Sequence, residues 1–195
     1  GVPVGETESR ADRLGHLRAN RLVTVEVHST LVDDSGGRLG HVVKQHREQH
    51  EGRVRAFGEV GLDHRSVIAE GTNPEKDTYE FTVPIDLTDF TAIRLEALTD
   101  ESLPGKGAGR AENSNFVLTE LEVEIAPASD PEKFDRVWFA AANADYSQPK
   151  FDVLQAVDGN AETGWAVDGE TKKEARTAVF ATIKPYGYAG GSVLR

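Results

Sequence analysis

The sequence predicts an all-β protein, a β-sandwich with at most one short helix, on three observations. Short runs rich in β-branched and aromatic residues recur along most of the chain. Many of them alternate with a period of two, as in Val23, Val25 and Val27, or Ile93, Leu95 and Ala97. Clusters of turn-forming residues punctuate them: Asp33-Asp34-Ser35-Gly36-Gly37, Asn73-Pro74 and Asp158-Gly159-Asn160.

In chain order, residues 1–20 are polar and charged and form a lead-in with little apolar content. Residues 21–31 alternate as a strand, and 33–37 form a turn. Residues 41–50 are the one helical candidate, with Val42, Val43, His46 and Gln49 on one face, although Gly52 and the sparse apolar content weaken it. Strands are expected at 54–60, 65–69 and 79–83, a connection at 86–90, and a further strand at 92–98. Residues 103–115 hold Pro104 and the glycines Gly105, Gly107 and Gly109, so they form a long loop. The strongest strand signal is 116–125, where Phe116, Leu118, Leu121, Val123 and Ile125 alternate with glutamates across a register shift near Thr119 that a bulge would reconcile. Residues 126–133 carry Pro127 and Pro131 and make a linker or crossover. Strands then resume at 137–142, 151–154, 165–167, 177–183 and 190–194. Two spans result: a sandwich module at 21–127, and at 134–195 a second β module or the remaining strands of the same sandwich.

The 195 residues suffice for one large sandwich or two small domains. A net charge of −11 argues against a nucleic-acid partner, since phosphate binding needs a basic surface. It suits a soluble surface protein or one that holds calcium with carboxylates. Cysteine is absent, which removes disulfides, thiolate metal sites and a haem-attachment motif. No apolar run approaches the ~20 residues of a membrane span. No signal peptide is seen; the chain begins at Gly1 and has no Met, and is expected to be a processed or excised piece.

Chemistry-bearing positions are few. Asp158, Asn160 and Thr163 project oxygens into one loop, as in a loop folded around a hard cation such as calcium or in a tight polar knot. The lone Trp165 beside it is expected in the core. Among the other aromatic candidates for a ligand platform, Trp138, Tyr146, Tyr186 and Tyr188, the loop-like Tyr186-Gly187-Tyr188 pair is favoured. Arg110 stands with that pair as a candidate ligand contact, and more strongly as a pin for loop 103–115 through backbone carbonyls or Glu112. His46 and His50 share a helical face, but Arg47 follows His46 where a metalloprotease needs Glu, so a solvated helix is the better reading. Gly105–Arg110 lacks the Gly-Lys-Ser/Thr ending of a phosphate loop, and no nucleophile elbow or triad is readable. The chain is therefore expected not to be an enzyme.

The segment Ala156-Val-Asp-Gly-Asn-Ala-Glu-Thr-Gly-Trp165 resembles the Asp-Gly-Asn…Thr-x-Trp segment of discoidin-like, galactose-binding-like sandwich modules. From about Ser66 onward the chain also resembles a region of large planctomycete surface proteins that often carry a c-type haem domain ahead of it. That likeness rests on Ile93-Arg-Leu-Glu-Ala-Leu98, Leu103-Pro-Gly105, Gly107-Ala-Gly-Arg-Ala111, Asn115-Phe-Val-Leu-Thr-Glu-Leu-Glu-Val123, Ala144-Asp-Tyr-Ser-Gln148, Phe151-Asp-Val153, Gly164-Trp-Ala-Val167 and Ala178-Val-Phe180, in that order. The family usually has Pro at the position of Ala108 and Gly at that of Ser114. It tends to have a His before the Ala-Val-Phe element, where Ala175 and Arg176 stand, so no role of that His is carried over. In discoidin-like modules the Asp-Gly-Asn turn comes early and a strand like 116–121 late. The order is reversed here, which implies one and a half modules or a permuted sandwich. The resemblance implies a jelly-roll, galactose-binding-like fold in an extracytoplasmic (periplasmic or cell-surface) multidomain protein. It implies glycan or neighbouring-domain partners, with an architectural domain as the alternative. It further implies a structural calcium in the Asp158 loop, with Glu120 or Glu122 as completing ligands.

Overall fold

The computed structural model describes residues 22–28, 52–57, 66–71 and 73–195. The lead-in at 1–20, the turn at 33–37 and the helical candidate at 41–50, with His41, His46 and His50, lie outside the described residues.

The described chain is all-β. Twelve strands are present: β1 Leu22–His28, β2 Gly52–Phe57, β3 Ser66–Gly71, β4 Val83–Ile85, β5 Phe90–Leu98, β6 Val117–Leu118, β7 Glu124–Pro127, β8 Asp135–Arg136, β9 Phe139–Ala144, β10 Trp165–Ala166, β11 Arg176–Tyr186 and β12 Ser192–Leu194. The described helical turns are short 3-10 segments at Pro104–Lys106 and Val153–Ala156. The second replaces the strand expected at 151–154: Asp152 accepts a hydrogen bond from the Leu154 amide at 2.9 Å, an N-cap that favours a turn over an extended run. Residues 79–82, also expected to be extended, form no strand, and pairing begins at β4.

One sheet has six strands in the order β2-β3-β1-β5-β11-β9. Within it β1 runs parallel to β3 and β5, and the other pairs are antiparallel. A second sheet, β4-β12-β7-β8, is antiparallel throughout. β6 and β10 form a two-stranded antiparallel ribbon. The spans 21–127 and 134–195 are thus interleaved: β5 pairs with β11, and β7 pairs with both β12 and β8. β1, β2 and β3 join the same large sheet, so the early strands are part of it.

Two apolar cores lie against one face of the six-stranded sheet. The first gathers Phe90, Ile93 and Tyr186 from that sheet with Ile125 and Leu194 from the four-stranded one. The second gathers Ala178 and Phe180 from β11 with Trp165 from the ribbon and Val153 and Ala156 from the 3-10 turn. Leu121 and Phe139 pack against both clusters and join them. Because Ile93 and Leu95 are two residues apart on β5, one strand face feeds both cores. β11 is registered to β5 up to Ala181 and re-registers at Tyr186; Pro185, which has no amide to give, sits in that irregular stretch.

The segment 116–125 is not one strand. β6 pairs with β10, then the Leu121 amide donates to Ala156 O at 2.7 Å, Val123 O accepts from the Val137 amide at 2.8 Å, and β7 begins at Glu124. The chain crosses from the ribbon to the four-stranded sheet. Alternation persists across the break because each end points into one of the two cores.

Candidate functional site

The loop between the 3-10 turn and β10 closes on its own side chains. Asp158 Oδ1 accepts from the Asn160 amide at 2.9 Å, and Asp158 Oδ2 accepts from the Thr163 hydroxyl at 2.8 Å. Asn160 Oδ1 accepts from the Glu162 amide at 3.2 Å, and Asn160 O accepts from the Thr163 amide at 3.0 Å. Gly159 makes the bend at φ 78°, where a side chain would be strained. Asp158, Asn160 and Thr163 are therefore brought together, as their spacing implied, and as a polar knot. Its far end is anchored by Trp165, which is fully buried, packs edge-on against Phe116 at 5.4 Å and donates from Nε1 to Tyr146 O at 2.9 Å.

The backbone on either side of Glu120 meets the two ends of this loop. The Leu121 amide bonds to Ala156 at the loop's start, and a Cβ placed on Gly164 at its end would lie 2.8 Å from Leu118 O and 3.0 Å from Thr119 Cα. Glu120 sits on the segment that bridges the two loop ends, and its Oε1 is buried with no hydrogen-bond partner. A buried carboxylate oxygen without a donor is unfavourable unless a cation or proton meets it. One observation favours a cation here, the orphaned Glu120 oxygen; both Asp158 oxygens and the Thr163 hydroxyl are already used within the loop. Among the described residues, no group of three or more His, Asp or Glu side chains gathers as a metal centre.

The three residues singled out for ligand contact are held in other ways. Tyr186 is only 9% exposed, stacks on Phe90 at 6.1 Å and accepts from the Trp138 amide through its hydroxyl at 3.1 Å, so it is a core residue and not a platform. Tyr188 is half-buried, and its hydroxyl donates to Asp135 at 2.9 Å; that bond, with burial and the adjacent negative charge, pushes its pKa above the ordinary phenol range. Arg110 donates to Gly71 O at 2.9 Å and to the Tyr79 hydroxyl at 3.1 Å, and its guanidinium lies 4.0 Å from Asp77. It pins loop 103–115 to β3 and the segment after it, the structural role anticipated for it, through the Gly71 backbone carbonyl.

Among the described aromatic residues Trp138, between β8 and β9, is the most exposed at 54%, followed by Tyr79 at 39%. Arg136 lies over its ring at 4.7 Å and pairs with Glu122 at 3.1 Å. Beside the ring is a hollow of about 110 Å³ bordered by Leu121, Val157, Asp158 and Gly159. Trp138 was legible as one of several exposed-aromatic candidates; nothing in the sequence ranked it above the tyrosines.

Asn115 carries no motif, yet it ties three segments together. Its Oδ1 accepts from the Phe116 amide at 3.0 Å and the Val167 amide at 3.2 Å, while Nδ2 donates to Gln148 at 3.1 Å. Arg176, in the place of the resembling family's His, is buried, donates to Glu174 at 2.7 Å, lies 3.6 Å from Asp145 and stacks 5.2 Å from the Tyr146 ring. Both of its carboxylate neighbours are supplied by the chain itself, so it closes a local ion cluster.

Comparison with protein-family models, with curated proteins and with solved structures finds no match to this chain. Among the described residues, no helix is long and apolar enough to cross a membrane.

Proposed function

We propose that the chain is a non-catalytic, glycan-binding module of jelly-roll, galactose-binding-like β-sandwich type within an extracytoplasmic multidomain protein. The observation that carries this is the self-closed Asp158–Thr163 knot anchored on Trp165, with the orphaned Glu120 oxygen on the segment that bridges its ends. That arrangement supports the class of sandwich the sequence resembles. It also supports a structural calcium held by Glu120, Asp158 and Thr163 with backbone oxygens of the loop. Bound there, the ion would supply a crosslink between the loop and the segment that joins the two cores, and no chemistry.

Thermal unfolding with calcium and with chelator tests this. Calcium is expected to raise the midpoint of the wild-type chain by several degrees, because an ion that binds only the folded state stabilises it by mass action. Asp158→Ala and Glu120→Gln are expected to abolish the rise. An unchanged midpoint in the wild-type chain would remove calcium from the proposal and leave the discoidin-like assignment without its main support.

An architectural role, packing against neighbouring domains, is the second reading. It is favoured by the exposure of Ile183 at 55% beside Trp138, whose carbonyl accepts from the Ile183 amide at 3.0 Å. Two large exposed apolar side chains, one on β11 and one just before β9, are the kind of patch a partner covers.

A further inference from the structure

We infer that Trp138 and the hollow beside it form a subsite for a single neutral pyranose, which rests on the glycan-binding function proposed above and assigns it a place. Sugar binding needs an aromatic face whose position is fixed before the ligand arrives, because ordering a mobile side chain on binding costs affinity. The Trp138 backbone is held at both its amide and its carbonyl. Its amide donates to the Tyr186 hydroxyl at 3.1 Å, and its carbonyl accepts from the Ile183 amide at 3.0 Å. Tyr186 is itself locked in the core against Phe90. The tyrosine that looked from sequence like a ligand platform thus holds the tryptophan that acts as one.

The ring is steadied from one side by the Arg136 guanidinium at 4.7 Å, and the residue is still 54% exposed. An open indole face stacks well on the polarised C–H face of a pyranose, an apolar contact with a weak electrostatic component. Polar groups for the hydroxyls converge on the same hollow. Arg136 offers planar donors, held by Glu122 at 3.1 Å, and Asp158, whose two oxygens accept from Asn160 and Thr163, borders the hollow. Leu121 and Val157 supply the apolar lining. At about 110 Å³ the hollow suits part of one sugar ring and not an extended chain, so the ligand is a terminal residue or one unit of a polymer.

Charge selects the class of sugar. The one guanidinium of the hollow, Arg136, is already paired with Glu122, in a chain of net charge −11. An acidic sugar would have to compete with Glu122 for that cation, so a neutral hexose is preferred.

The two tryptophans of the chain make the test direct, since Trp165 is fully buried and Trp138 is the one that senses ligand and solvent. Full-length protein would be titrated with methyl β-galactoside, methyl β-glucoside and galacturonic acid, following tryptophan emission, acrylamide quenching and heat of binding. At least one neutral glycoside is expected to bind and protect the indole from acrylamide. Trp138→Ala is expected to weaken binding by about tenfold or more while leaving the unfolding midpoint nearly unchanged, and Arg136→Gln to weaken it less. Equal binding by wild type and Trp138→Ala would overturn this subsite and leave the glycan-binding function standing. Tighter binding of galacturonic acid would overturn the neutral class. Failure of the wild-type chain to bind any of these probes would overturn the subsite. If a broad neutral-glycan screen were also blank, the glycan-binding function would fall with it. Self-association that depends on Trp138, with no sugar bound, would reassign the patch to a second copy of the chain.

Discussion

Trp165 is fully buried and Trp138 is 54% exposed, and substitution should separate them sharply. Trp165 fills the second core beside Val153, Ala156, Val167 and Phe180, and its indole N–H is spent on Tyr146 O. Trp165→Ala removes that packing and the hydrogen bond to Tyr146 O, so a loss of about 3–5 kcal/mol is expected in urea unfolding. Trp138→Ala removes an exposed ring, and a change within about 1 kcal/mol is expected. Comparable losses at the two positions would contradict this division of core and surface. At the same scale, Ser114 has φ 63°, a left-handed conformation that glycine adopts more readily. That is the physical sense of the glycine the resembling family carries there.

At the scale of elements, the turn between β11 and β12 is tied to β8 by the Tyr188–Asp135 hydrogen bond. The folded state raises the phenol pKa above its ordinary value of 10.0 through that bond, then through burial and the carboxylate charge. A group whose folded pKa is raised holds its proton longer in the folded state. Its stabilising contribution is complete below about pH 10 and is lost as pH rises through the folded pKa. Tyr188→Phe is therefore expected to cost about 0.5–1 kcal/mol at neutral pH, as for a part-exposed hydrogen bond. It is also expected to flatten the fall of the unfolding midpoint above pH 10 relative to wild type. An identical alkaline fall in the variant would show that other groups drive it.

For the whole molecule, the placement of β1, β2 and β3 carries the main consequence. β1 continues the six-stranded sheet beyond β5 in register from Leu22 opposite Ala92 to His28 opposite Leu98. A chain beginning at residue 73 would leave one edge of β5, from Ala92 to Leu98, unpaired. Such an edge is a template for pairing with another chain. Removal of residues 1–72 is expected to produce oligomers or aggregate by size-exclusion chromatography and light scattering, where the intact chain does not. A well-behaved truncated monomer would mean that β5 is protected by something other than β1.

By itself the sequence determined the strand content, the turn at Asp158–Asn160 and the core position of Trp165. Each of these is set locally, by alternation, by Asx chemistry at a glycine bend, or by an isolated indole among apolar neighbours. It also made Arg110 legible as a pin, because a long glycine-rich loop needs such a bond. Tertiary structure alone decided that 116–125 splits between a ribbon and a sheet, and that 151–154 turns instead of extending. It likewise decided that strands from 22 to 194 share sheets. Those outcomes depend on which remote backbone groups accept each amide, as when Leu121 pairs with Ala156 and Val137 with Val123. That Tyr186 is buried while Trp138 stands exposed has the same origin. A period-two pattern fixes that side chains alternate, while the face that becomes buried is chosen by the sheet that packs upon it.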